Sequence, residues 1–145
     1  MQRRLCSLVV LVALAAACGT EPIELASSYT LSTVEGDQPP RLVGATLECD
    51  VSVVGGHLTF GPADQFELGL DVSTDCSRGG GGTQESTFGY TGSAEVDGRR
   101  VVFHTARGSG PLEFEGQGSD AGTLGVTAPL LVPTADQVMV GFQAE

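Results

Sequence analysis

From Phe66 onward, apolar and polar residues take strict turns: Phe66, Leu68, Leu70 and Val72 alternate with Glu67, Gly69, Asp71 and Ser73. A period of two puts each set on its own side of a strand, with one face in the core and one in water. The same alternation recurs over Tyr29 to Thr33, Leu47 to Val53, Phe88 to Val96, Arg99 to Thr105, Leu112 to Gly118, Thr123 to Ala128 and Val138 to Phe142, with turn-forming residues between. No long stretch holds the 3.6-residue spacing of an amphipathic helix. The pattern predicts an all-β chain of eight antiparallel strands.

One pair of strands can be aligned residue by residue. Apolar positions are odd from 47 to 53 and even at Leu58 and Phe60, so something between them shifts the register. The glycines at 55 and 56 are the natural place for an extra residue, a β-bulge. A hairpin turning through Gly61 to Gln65 then sets Phe60 against Phe66, Leu58 against Leu68, Val53 against Val72 and Cys49 against Cys76. Directly opposed residues lie about 4.5 to 5.5 Å apart at Cα, within reach of a disulfide. The next hairpin, at "VDGR", places Asp97 and Gly98 in a two-residue turn of type I′. Ala94 should then face Val101, Gly92 should face Phe103, and Glu95 should pair with Arg100 on the outer side.

Eight strands with one apolar face bury it by closing into a barrel or by stacking as a sandwich. An immunoglobulin sandwich usually carries a buried tryptophan and a wider cysteine spacing. This chain has no Trp, and its cysteines fall in one hairpin. A closed antiparallel eight-stranded barrel is the expected architecture, with the β-sandwich as the alternative. The segments "YTLSTVEGDQPP", "GHLTFGPADQFEL", "GYTGSAEVDGRRVVF" and "VMVGFQ" span nearly the whole chain after residue 28. In these strand-and-turn patterns the chain resembles a group of small secreted bacterial proteins with a lipocalin-like barrel, and the resemblance implies that fold.

The first 17 residues read differently. Arg3 and Arg4 precede an uncharged run from Leu5 to Ala17. At about 1.5 Å per residue this run reaches roughly 20 Å as a helix, short of the hydrocarbon thickness of about 30 Å. With small residues at Ala15, Ala16 and Ala17, residues 1–17 read as a secretory signal peptide. The small residues directly before Cys18 resemble the lipobox of bacterial lipoproteins, which implies cleavage there and acylation of Cys18. The alternative is ordinary cleavage, releasing a soluble protein. Residues 18–28 then form the lipidated N-terminus and tether, and 29–145 the barrel. Gly19, where inner-membrane retention would favour Asp, resembles lipoproteins sent to the outer membrane in bacteria that have one. Export also supplies the oxidising compartment a Cys49–Cys76 disulfide needs.

Charge narrows the partners. After Cys18 the chain carries five arginines, no lysine and 18 acidic residues, a net of minus 13. Phosphate backbones are held by clustered cations, so nucleic acid is excluded as a partner, and attachment to a membrane has to come from the lipid. The glycine run at "RGGGGT" lacks the Lys-Ser/Thr and the following helix of a phosphate loop. His57 and His104 fall on the wet face, opposite Gly69 and Thr91 in the expected registers, with no carboxylate directly opposite to orient either. No serine sits in a nucleophile elbow. A catalytic role, a cofactor and a metal are therefore not expected. One charged pair stands out. Asp50 and Asp75 are opposed on the outer face, so Arg78 folds over to compensate, water solvates them, or calcium bridges them.

The inward-facing aromatics are Tyr29, Phe66, Phe88, Tyr90, Phe103, Phe114 and Phe142, interspersed with Gly92, Ala94, Gly116 and Gly118. Small barrels are either filled by side chains or hold one small ligand. The glycines suggest room beside the rings. The leading expectation is a non-enzymatic cell-envelope lipoprotein binding an apolar small molecule or lipid in the barrel. The alternative is a tethered interaction module with a solid core that contacts other envelope proteins.

Overall fold

A computed structural model describes residues 22–107, 110–132 and 135–145. The chain is all-β, a closed antiparallel eight-stranded barrel with one extra strand. The strands are β1 (Ser28–Val34), β2 (Arg41–Ala45), β3 (Asp50–Phe60), β4 (Gln65–Asp75), β5 (Thr83–Asp97), β6 (Arg100–Arg107), β7 (Gly110–Gly118), β8 (Thr123–Val132) and β9 (Ala135–Ala144). They run in the order β1-β9-β8-β7-β6-β5-β4-β3-β2, and β1 also pairs with β3 to close the ring. The first 21 residues, and with them the signal segment, the lipobox and Cys18, lie outside the described residues.

The ladder between β3 and β4 follows the expected register: Phe60 faces Phe66, Leu58 faces Leu68, Val53 faces Val72 and Asp50 faces Asp75. The shift falls between Val53 and Gly55, so the extra residue is Val54 and the two glycines follow it. Gly56 is required where it stands, because a Cβ there would lie 2.7 Å from the Gly69 carbonyl oxygen. Cys49 and Cys76 flank the end of this ladder and form the disulfide.

Three details differ from the sequence expectation. Leu47 is not on an inner face: it tips the turn in which Thr46 N–H donates to Cys49 O, and it is 96% exposed. Strand β2 is additional to the eight expected strands, because at five residues, with Leu42 turned outward, it carries no alternation to read. The β5–β6 hairpin is shifted by two residues. Asp97 pairs with Arg100, Val96 with Val101, Ala94 with Phe103 and Gly92 with Thr105. Gly98 has φ 61° and Arg99 does not have a positive φ, so glycine occupies the first central position, as in a type II′ turn. A shift of two keeps every side chain on its expected face, but it sets Glu95 across from Val102. Arg100 pairs instead with Glu115 of β7, Nε to Oε2 at 3.0 Å.

The barrel is fully hydrogen-bonded around only one end. Three seams close there and open toward the other end. The β1–β3 ladder covers Ser28–Thr30 against His57–Thr59, the β5–β6 ladder stops at Gly92 and Thr105, and the β7–β8 ladder covers only Gly116–Gly118 against Leu124–Val126. Beyond these points the wall separates into β2–β3–β4–β5, the β6–β7 hairpin and β8–β9–β1. Strand β2 takes over the β3 edge that β1 leaves, pairing with Asp50 to Val53. The closed end carries the Gly98 and Ser119–Gly122 turns, and the open end carries the cystine.

Candidate functional site

The expected site is the interior, and the structure brings its aromatic residues together. Tyr29, Phe66, Tyr90, Phe103, Phe114 and Phe142 are all buried, and Phe88 is half-buried at the margin of the core. Phe103 stacks on Phe114 with centroids 4.9 Å apart and receives the edge of Phe66 at 4.9 Å. Phe66 and Tyr90 each meet Phe114 edge to face, at 5.9 and 5.6 Å, and Phe60 links Phe103 to Tyr29. These separations are those of rings in direct contact. Both tyrosine hydroxyls are satisfied: Tyr90 OH donates to Pro129 O at 2.6 Å, and Tyr29 OH accepts from Ala26 N–H at 2.9 Å.

The glycines do not leave room. A Cβ on Gly92 would collide with the His104 carbonyl and stand 3.1 Å from the Phe66 ring. One on Gly116 would stand 3.2 Å from both the Phe103 ring and Val126. At Gly118 the space is taken by Ile23 Cδ1, from the segment ahead of β1. That segment, the expected tether, packs as a strap across the closed end. Ile23 N–H donates to Gly98 O, Ser27 O accepts from Phe60 N–H, and Ile23, Leu25 and Ala26 pack on the core. Its only signal in the sequence is apolar Ile23 and Leu25 separated by Glu24, an alternation short enough to pass for linker.

Where β5 leaves β6, a slot of about 190 Å³ opens between Phe88, Gly89, Tyr90, Thr91, Thr105 and Ala106. A wider, solvent-open cleft of about 610 Å³ lies over the end of the β3–β4 hairpin, from Thr59 and Ala63 to Glu67 and Ser93.

The outer face resolves the acidic pair through an arginine. Asp50 and Asp75 are directly opposed, and Arg78 reaches back to Asp50 and to Thr46 O. Asp75 is held below the usual carboxylate range by the Ser77 hydroxyl and backbone N–H, with a smaller contribution from Arg78. Hydrogen bonds to the ionised form favour it. Glu145 is lowered in the same way by the hydroxyls of Thr30 and Ser28, and Glu115 by Arg100.

Both histidines are on the wet face, as expected, but both have carboxylate neighbours, and His104 has two. His57 faces Gly69, with Glu67 at 4.0 Å. His104 faces Ser93 rather than Thr91, and on its other side it opposes Glu113, Nδ1 to Oε2 at 3.2 Å, with Glu95 3.8 Å from Nε2. The expectation that no carboxylate lies directly opposite either histidine holds at His57 and fails at His104, where two features bring carboxylates in. Glu113 comes from β7, on the side away from the β5–β6 hairpin, and the two-residue shift of that hairpin brings Glu95 diagonally across from His104. The trio is solvent-exposed, and among the described residues no group of three or more His, Cys, Asp or Glu has the arrangement to hold a metal ion.

Comparison with protein-family models, with curated proteins and with solved structures gave no match.

Proposed function

We propose that this protein is a non-enzymatic lipoprotein of the cell envelope, fixed to the membrane by acylated Cys18 after removal of residues 1–17. Its barrel is a solid scaffold that contacts other envelope proteins through its outer surface. In a bacterium with two membranes, its place is the outer one. The observation that carries the solid-scaffold reading is the filling of Gly92, Gly116 and Gly118 by Phe66, Phe103 and Ile23. Lipidation is supported by the sequence "LAAAC" alone. Palmitate labelling of the wild type and Cys18→Ala tests it: label on the first and none on the second is expected, and an unlabelled wild type contradicts it.

The second reading, a barrel that holds an apolar small molecule or lipid, is favoured by the ring-lined interior and by the slot beside Phe88 and Tyr90. That slot, about 190 Å³, is smaller than the roughly 300 to 1,000 Å³ of sites that enclose drug-sized ligands. Native mass spectrometry of protein purified from its membrane separates the two. The scaffold reading predicts the mass of the acylated chain alone, and a co-purifying apolar species removable by solvent would establish the ligand reading.

A further inference from the structure

The chain enters the barrel at one end only, and it is tied there. Ile23 is held by its N–H on Gly98 O and by its side chain in the hollow above Gly118, and Ala26 and Ser27 are bonded to Tyr29 and Phe60. All these contacts lie at the closed end, beside the Gly98 and Ser119–Gly122 turns. Only five peptide steps separate Cys18 from Ile23, a reach of about 18 Å at full extension. Were the strap free, ten steps to Ser28 would reach about 36 Å. Strand β4, with 11 residues, is itself about 36 Å long. A free tether would let the barrel present any side to the membrane, whereas the short one does not.

We infer that the strap Ile23–Ser27 fixes the orientation of the barrel on a lipid bilayer: the closed end, with Gly98 and the Ser119–Gly122 turn, faces the membrane, and the cystine end points away. This rests on the lipidation of Cys18 proposed above. The consequence for function is spatial. The open end, with Leu47 96% exposed, the β2 edge and the Arg78 loop, is the part of the molecule offered to partners at a distance from the membrane.

The test uses the full acylated protein in vesicles whose lipid headgroups carry an acceptor dye. A donor fluorophore is placed at Ala121→Cys, in the exposed closed-end turn, or at Asp136→Cys, exposed at the open end. Stronger quenching at position 121 than at 136 is expected. Equal quenching, or the reverse order, overturns the orientation. In Ile23→Ser, with far-UV circular dichroism confirming an intact barrel, the difference between the two positions should shrink, and an undiminished difference would overturn the role of the strap. Palmitate labelling of each preparation separates the two failures. Protein that carries no label and stays off the vesicles refutes the lipid anchor, while labelled protein without asymmetry refutes the orientation alone.

Discussion

The two ends of the barrel are filled and held by different means. At the closed end, glycines at 92, 116 and 118 let rings and one isoleucine approach the backbone, and strand ladders run all the way round. At the open end three seams part, and the core is mostly aliphatic, with Val51, Val53, Leu70, Val72, Leu130 and Val138, joined by buried Tyr90 and by Phe88 at the margin. Across the parted wall Tyr90 reaches from β5 to Pro129 on β8, while the Cys49–Cys76 disulfide clamps the β3–β4 end within one leaf. A small barrel can therefore stay closed with an incomplete ring of ladders, provided the open part is packed.

The largest effect is expected at the closed end. Phe103 is fully buried and touches Phe60, Phe66 and Phe114, so Phe103→Ala should cost about 3 to 5 kcal/mol. The midpoint of denaturant unfolding measures it, and a loss below about 1 kcal/mol would mean that the ring cluster is loosely packed.

Removing the disulfide acts on the other end. Its cysteines are 27 residues apart, and in the chain-entropy view the loss is on the order of 3 to 4 kcal/mol. The paired change Cys49→Ala and Cys76→Ala should speed amide exchange at Asp50 to Val53 and leave Leu58 to Phe60 nearly as slow as before. Uniform acceleration along β3 would show that the two ends do not open separately.

Two glycines sharpen the contrast within the closed end. In Gly92→Ala the new methyl meets the immovable His104 carbonyl, so a loss of about 1 to 3 kcal/mol is expected. In Gly118→Ala it meets the end of the Ile23 side chain, which can leave. That variant should melt closer to wild type than Gly92→Ala does, and Gly118→Ala with Ile23→Ala removes the overlap without regaining the side-chain contact of the strap. Thermal unfolding ranks the three, and equal losses at the two glycines would contradict the difference.

The smallest effect is electrostatic. Glu145, Glu115 and Asp75 have folded pKa values lowered by hydrogen-bond partners. A lowered carboxylate stabilises the fold fully above its unfolded pKa, near 4, and loses that contribution as pH falls through the folded value. Melting temperature should therefore decline below about pH 4, and Glu145→Gln should make the decline shallower. An unchanged slope in that variant would show that Thr30 and Ser28 do not hold the carboxylate in solution.

The same contrast explains what could be read in advance. The β3–β4 pairing was legible because the apolar parity switches between Val53 and Leu58 and because two cysteines fall opposite each other, two constraints that admit one register. At β5–β6 only the face was legible. Periodicity of two is blind to a shift of two, and "VDGR" accommodates either turn, so the choice fell to Gly98 and to packing against β7. The inner-face aromatics were legible as a set, but the space between them was not. Whether a glycine leaves a void or admits a ring depends on residues distant in the chain, as Ile23 over Gly118 and Phe66 beside Gly92 show.

The filled interior is tested most directly with xenon, which enters apolar voids that water leaves dry. Followed by NMR under increasing xenon pressure, the rings of Phe103 and Phe114 and the methyls of Ile23 and Val126 should show no saturable shift. Saturable shifts at these positions would reveal a cavity in the barrel and contradict the account.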